Sequence, residues 1–235
     1  MNRLPILMYH NFVSDNTKSK GLSISVEKFE AHLLYLKEKK YQSFFVSDLE
    51  NLKLTSYKNI VLTFDDVTVN QLEFAYPLLK KYGFKATFYV PFSYVGKSDL
   101  WNYGSEKIMT IDQLNSLDYD VVELGFHSFK HQKYAQMTWQ EIEKDFNDCQ
   151  QFIVKNDLKI QNSLAYPYGN FPKKGFEYQN FVKILKENEI KFGLRIGNRI
   201  NKFPFKNPFT VNRIDVKGEW SMLKFRLKLR FGKLF

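Results

Sequence analysis

The chain has 235 residues, with 35 Lys+Arg against 25 Asp+Glu, a formal charge of 35 − 25 = +10. Its 44% hydrophobic and 26% charged content is that of a core-forming globular chain and excludes collagen-like, coiled-coil, low-complexity and disordered classes. The single cysteine, Cys149, excludes an internal disulfide, and no apolar run approaches the roughly 20 residues that a membrane helix needs.

The length fits one domain spanning residues 1–235. Short apolar runs alternate with longer amphipathic segments, the pattern of an α/β fold. Leu4–Tyr9 reads as a buried strand. It is too short for a signal-peptide core, so a chain beginning natively at Met1 is expected in the cytoplasm. Ser25 is a predicted N-cap for a helix to about Lys40, with Phe29, Leu33 and Leu36 on one face. Ile60–Phe64 is the second strand. Thr68 and Gln71 form a capping-box pair for a helix to Tyr82, ended by Gly83. Lys85–Val90 is a strand stopped by Pro91. Thr110 with Gln113 opens a short helix, Asp120–Phe126 is a strand, and Thr138 with Glu141 caps a long helix. Ser163–Tyr166, a helix from Gly175 to Glu189, and the strands Lys191–Ile196 and Val211–Val216 complete the order.

The polar motifs recur at the C-terminal ends of strands, where α/β barrels carry their active sites. Asp65 and Asp66 are adjacent there, and neighbours on an extended chain point oppositely, so one carboxylate can hold a metal while the other acts as a base. A helix N-terminal turn favouring acids is the structural alternative. His127 and His131 are four apart, which on a helical turn puts both rings on one face toward one ion. With an Asp they make a two-His-one-carboxylate set that leaves positions for water. His10 ends the first strand. His32 lies in a helix and has no assigned role. An Asp-x-Asp-x-Thr phosphatase motif is excluded, because ending it at Thr68 puts its first position at Phe64.

Thr63-Phe64-Asp65-Asp66, His127-Ser128-x-x-His131 and Tyr166-Pro167-Tyr168-Gly169, in that order, resemble the polysaccharide deacetylase family (NodB-homology, carbohydrate esterase 4). Ala86-Thr87-Phe88-Tyr89-Val90 and the opening Leu7-Met8-Tyr9-His10 support the resemblance, the latter pointing to the branch that deacetylates poly-N-acetylglucosamine-type polymers. The resemblance runs from about Leu4 to Val216. It implies a distorted (β/α)7 barrel and a hydrolase that removes acetyl groups with a divalent ion, commonly zinc. By that resemblance Asp66, His127 and His131 are metal ligands and Asp65 is the general base. Tyr168 lends its backbone N–H to the oxyanion, His10 is the general acid, and Arg213 orients Asp65. An amine leaves poorly unless protonated, and a histidine suits that task near neutral pH. The implied partner is an N-acetylated amino sugar in a polysaccharide or in a lipid- or nucleotide-linked precursor.

Three departures stand out. The family's glycine after the Asp pair is Val67, so either Val67 takes a negative φ or the loop is rebuilt. Ala165-Tyr166 replaces the arginine common before Pro-Tyr. No export signal is seen, although many members are exported. The Val67 departure keeps open a catalytically weakened barrel that binds glycan or an anionic membrane without turnover.

From Lys217 to Phe235 there are six basic residues and one acid, a local charge of 6 − 1 = +5. Within residues 222–235, apolar and basic residues alternate with period two from Leu223 to Phe231, which favours a strand. A helix would instead gather Leu223, Leu227, Phe231 and Leu234. Such a segment suits an anionic membrane surface on the inner face, or packing on the barrel. No nucleic-acid motif accompanies the charge, so a nucleic-acid partner is not expected.

Overall fold

A computed structural model describes residues 2–54 and 58–233. Seven parallel strands form a closed barrel: β1 (Ile6–Tyr9), β2 (Asn59–Asp65), β3 (Ala86–Val90), β4 (Val122–Phe126), β5 (Ile160–Ala165), β6 (Phe192–Ile196) and β7 (Val211–Asp215). Each pairs with the next, except that β1 closes the ring between β7 and β2 through Leu7–Ile214 and Leu7–Leu62 registers. The closure is irregular. Val61 pairs with Ile6 on one side and Phe44 on the other, so the short strand Gln42–Phe44 occupies the start of the edge that β3 takes further along. This is the distorted seven-stranded barrel that the family resemblance implies.

Helices cover the outside: α1 (Val26–Glu38), α2 (Tyr76–Tyr82), α3 (Ile111–Asn115), α4 (Trp139–Asn156), α5 (Gly175–Glu187) and α6 (Met222–Phe231). Ser25 caps α1 by accepting from the Lys28 amide, and Phe29, Leu33 and Leu36 are its buried stripe. The capping boxes at Thr110–Gln113 and Thr138–Glu141 both form. Gly83 ends α2 at φ 72, a left-handed position that glycine takes without a Cβ clash.

Two expectations change. The Thr68–Gln71 capping box does not form. A π-helical turn at Gln71–Ala75 leads into α2, and the buried Gln71 amide is drawn inward instead. The C-terminal segment is a helix, α6, rather than a strand. Ser221 caps a helix there, and Phe225 and Leu229 bury one turn apart. The helical face expected from Leu223, Leu227 and Phe231 is the exposed one, and Leu234 lies outside the described residues.

Period-two alternation positions the site. Ile6, Val61, Tyr89, Ala165, Leu194 and Val211 pack as one apolar cluster of inward-facing barrel residues. Two and four residues beyond Val61 on the same face come Thr63 and Asp65, and two beyond Val211 comes Arg213. The alternate residues Leu7, Leu62, Phe64 and Phe88 face the helices in the larger cluster. Below the Asp65–Arg213 pair the interior is this apolar cluster, interrupted by one buried carboxylate, Glu123, which accepts from Thr87 Oγ1 and the Ser47 amide.

Candidate active site

Asp65 is the last residue of β2 and points into the barrel. The guanidinium of Arg213, from β7, grips it with two hydrogen bonds: Nη1 to Oδ1 at 2.5 Å and Nη2 to Oδ2 at 2.8 Å. Arg213 is completely buried, sits under the Tyr89 ring at 5.6 Å, and also donates to Thr63 Oγ1. Gly125 makes room for that tyrosine: a Cβ there would lie 2.7 Å from its ring. Burial pushes the Asp65 carboxyl toward neutrality, but Arg213, then His127 and His10, outweigh it and hold the group far below the ordinary carboxylate range.

Asp66 turns the other way. Its φ of 78° and that of Val67, 45°, are both left-handed. The valine that replaces the family glycine thus adopts the conformation for which glycine is suited, fully buried, with its carbonyl accepting from the Met109 amide. Val67 is not shifted to negative φ; the surrounding core holds a β-branched residue in a strained well, at a cost of about 1–3 kcal/mol.

Asp66 Oδ1 lies 3.4 Å from His127 Nε2 and 3.3 Å from His131 Nε2 without a directed hydrogen bond to either. Burial raises the Asp66 carboxyl, and the two histidines, His131 first, bring it below its usual value. His127 Nδ1 donates to the Ala165 carbonyl at 2.7 Å, which leaves the Nε2 lone pair facing Asp66. Burial lowers the His127 pKa to about 4, so this ring is neutral at pH 7. His127 and His131 are brought together by a loop, not by a helical turn. Ser128 and His131 have φ of 59° and 52°, and Asp145 of α4 anchors the loop by accepting from the Phe129 amide. One ligand atom from each of Asp66, His127 and His131 lies within 4.8 Å of the others. An N, N, O donor set around an unpartnered buried carboxylate oxygen fits a divalent ion such as zinc.

His10 follows β1, and its Nε2 is 3.7 Å from Asp65 Oδ2. Tyr168 is half exposed at 49%, in a left-handed turn after β5, with its ring edge-on to His131. The structure thus brings all seven expected residues together: six border one cavity of about 340 Å³, and Arg213 lies beneath Asp65.

Three contributors lie outside the motifs. Gln71 donates to the carbonyls of both His10 and Asp65, at 2.8 and 2.6 Å, and ties β1 to β2 at the site. Trp101 stacks on His131 with ring centroids 4.3 Å apart. Asp215, two residues beyond Arg213, lines the cavity with Oδ1 unpartnered while its Oδ2 pairs with Lys217. Only Asp215 had a sequence signal, its place at the end of a strand.

Residues 53–184, more than half of the chain, match the profile of the family described as polysaccharide deacetylase. The chain belongs to the polysaccharide deacetylase family. This deacetylase-family chain is 29% identical over 173 residues to the Bacillus subtilis protein YxkH, whose name carries the same family description; the match covers 72% of this chain and 58% of YxkH. It is 24% identical over 217 residues to a poly-beta-1,6-N-acetyl-D-glucosamine N-deacetylase of Staphylococcus aureus, covering 88% of this chain and 72% of that one. Its fold matches a Streptococcus pyogenes deacetylase, PplD, solved with acetate (TM-score 0.77, 23% identity, 97% and 98% of the two chains). It equally matches a de-N-acetylase from Aggregatibacter actinomycetemcomitans (TM-score 0.78, 21% identity, 97% and 100%).

Proposed function

We propose that this polysaccharide deacetylase family chain is a metal-dependent N-deacetylase. It acts on an acetylated amino sugar, in a polymer or in a lipid- or nucleotide-linked precursor. The observation that carries the reading is the different surroundings of adjacent carboxylates: Asp65 is locked to Arg213, while Asp66 faces His127 and His131 and makes no ion pair with Lys or Arg among the described residues. Residues 1–235 act as one unit, since Phe225 and Leu229 of α6 join the same apolar cluster as the barrel's outward residues.

Asp66, His127 and His131 would hold the ion. When bound, it polarises the acetyl carbonyl and lowers the pKa of water at the site. Asp65 takes a proton from the attacking water, whose oxygen bonds to the carbonyl carbon. Arg213 keeps Asp65 ionised and its oxygens fixed in direction. The Tyr168 backbone N–H donates to the developing oxyanion. His10 delivers a proton to the sugar nitrogen as the C–N bond breaks, so that acetate and a free amine leave. The gathering of Asp65, Asp66, His127 and His131 on one cavity supports turnover over a weakened, non-catalytic barrel.

The test is acetate release from β-1,6-linked N-acetylglucosamine oligomers and from lipid- and nucleotide-linked N-acetylhexosamines, with metal content measured on the same preparation. One zinc or similar ion per chain with acetate released from at least one substrate is expected. A metal-loaded chain that releases no acetate from any of them would overturn the reading.

A further inference from the structure

The C-terminal helix carries a feature that the catalytic account does not use. Phe225 and Leu229 are buried, Phe225 stacked flat on His32 of α1 at 3.7 Å. On the opposite side Leu223, Leu227 and Phe231 succeed one another every four residues and stay exposed at 67%, 37% and 52%. At 100° per residue, Lys224 and Lys228 border this stripe on one side and Arg226 and Arg230 on the other. This is the cross-section of a helix that lies in a lipid interface, with apolar side chains below and cations at headgroup level.

The surroundings extend the charge. Two clefts of about 470 and 520 Å³ meet at Arg3 beside the end of α6. Arg226 and Arg230 line the first; Arg199, Lys202 and Lys233 line the second together with Phe231. No acidic residue lines either cleft among the described residues. None of these six cations is in an ion pair there either. Arg3 and Pro5 precede β1, so the clefts lie at the end of the barrel opposite the catalytic cavity. No α6 residue lines that cavity, so occupying this surface leaves its mouth open.

We propose that α6 and its flanking clefts dock the chain peripherally on an anionic lipid bilayer. The stripe of Leu223, Leu227 and Phe231 enters the interface, and the cations that surround it meet lipid phosphates. The apolar stripe is what selects a bilayer over a soluble polyanion, which would use the charges alone. No helix among the described residues is long and apolar enough to cross a membrane, so the attachment is interfacial.

The experiment is co-sedimentation of the full chain with vesicles of phosphatidylcholine alone, or of equimolar phosphatidylcholine and phosphatidylglycerol, with heparin as a soluble competitor. Binding to the mixed vesicles only, weakened by salt, is expected. Replacing Leu223, Leu227 and Phe231 together by Ser should cut vesicle affinity by about tenfold or more. The pair Arg226→Gln and Arg230→Gln should cut it by a similar factor. These side chains are exposed, so the melting temperatures of both variants should match that of the parent. Equal binding to neutral vesicles would overturn the proposal. So would vesicle binding that the triple Ser variant keeps in full and heparin displaces, which would assign the surface to a soluble polyanion.

Discussion

The two ends of this barrel treat charge in opposite ways. At the C-terminal ends of the strands, Asp65, Asp66, His10, His127, His131 and Arg213 sit in a few ångströms of buried space, and each carboxylate faces a named partner. In the two clefts beside α6 at the far end, cations gather and no acidic residue lines the walls among the described residues. Buried charge must be compensated within the fold, because an unpaired ion in a low dielectric is expensive. Exposed charge is solvated and can be left for a partner. The first region is therefore closed on itself, and the second is the surface we propose for a lipid partner.

That contrast can be broken from the catalytic end. Asp65→Asn keeps the shape but removes the proposed base, and acetate release should fall about 10³-fold or more in a steady-state assay. Arg213→Met leaves Asp65 buried and unpaired, and chemical denaturation should show a loss of about 3–5 kcal/mol. Adding Asp65→Leu to that variant should recover most of the loss. His10→Ala should slow turnover about 10²-fold, more severely for a poor amine leaving group than for an activated acetyl ester. An equal loss on both substrates would remove His10 as the acid.

Smaller effects sharpen the comparison. Burial lowers the His32 pKa from 6.5 to about 3, with Lys28 adding to the effect. The unfolded chain binds this proton below about pH 6.5 while the folded ring stays neutral. Its contribution to stability is therefore complete above about 6.5 and is lost as pH falls toward about 3. Melting curves of His32→Gln should show a shallower decline over that window than the parent. Val67→Gly relieves the left-handed strain and should change stability by about 1 kcal/mol or less, since the lost burial of the valine opposes the gain. Leu227→Ser on α6 should change it by no more than about 0.5 kcal/mol.

Much of this was legible in the chain. The strands that lead to Asp65 and His127 follow from apolar runs closed by polar residues, and the caps at Ser25, Thr110 and Thr138 form as local chemistry dictates. What was not legible depends on distant partners. Gln71 looks like a capping residue, yet the carbonyls of His10 and Asp65 compete successfully for its amide once β1 and β2 are adjacent. Period two in α6 is genuine, but the Ser221 cap and the burial of Phe225 and Leu229 one turn apart select the helix. Trp101 sits in an irregular loop with no periodicity, so its stacking on His131 had no sequence signal. Val67 shows the reverse limit, a local preference overridden by the packing around it.

The central claim is that two neighbouring aspartates do different work, and paired measurement of bound metal and acetate release on two variants tests it most directly. Asp65→Asn should retain metal at the parent's stoichiometry and lose turnover; Asp66→Ala should lose both. An Asp65→Asn chain that still releases acetate at the parental rate, or an Asp66→Ala chain that keeps its metal and full activity, would contradict the account.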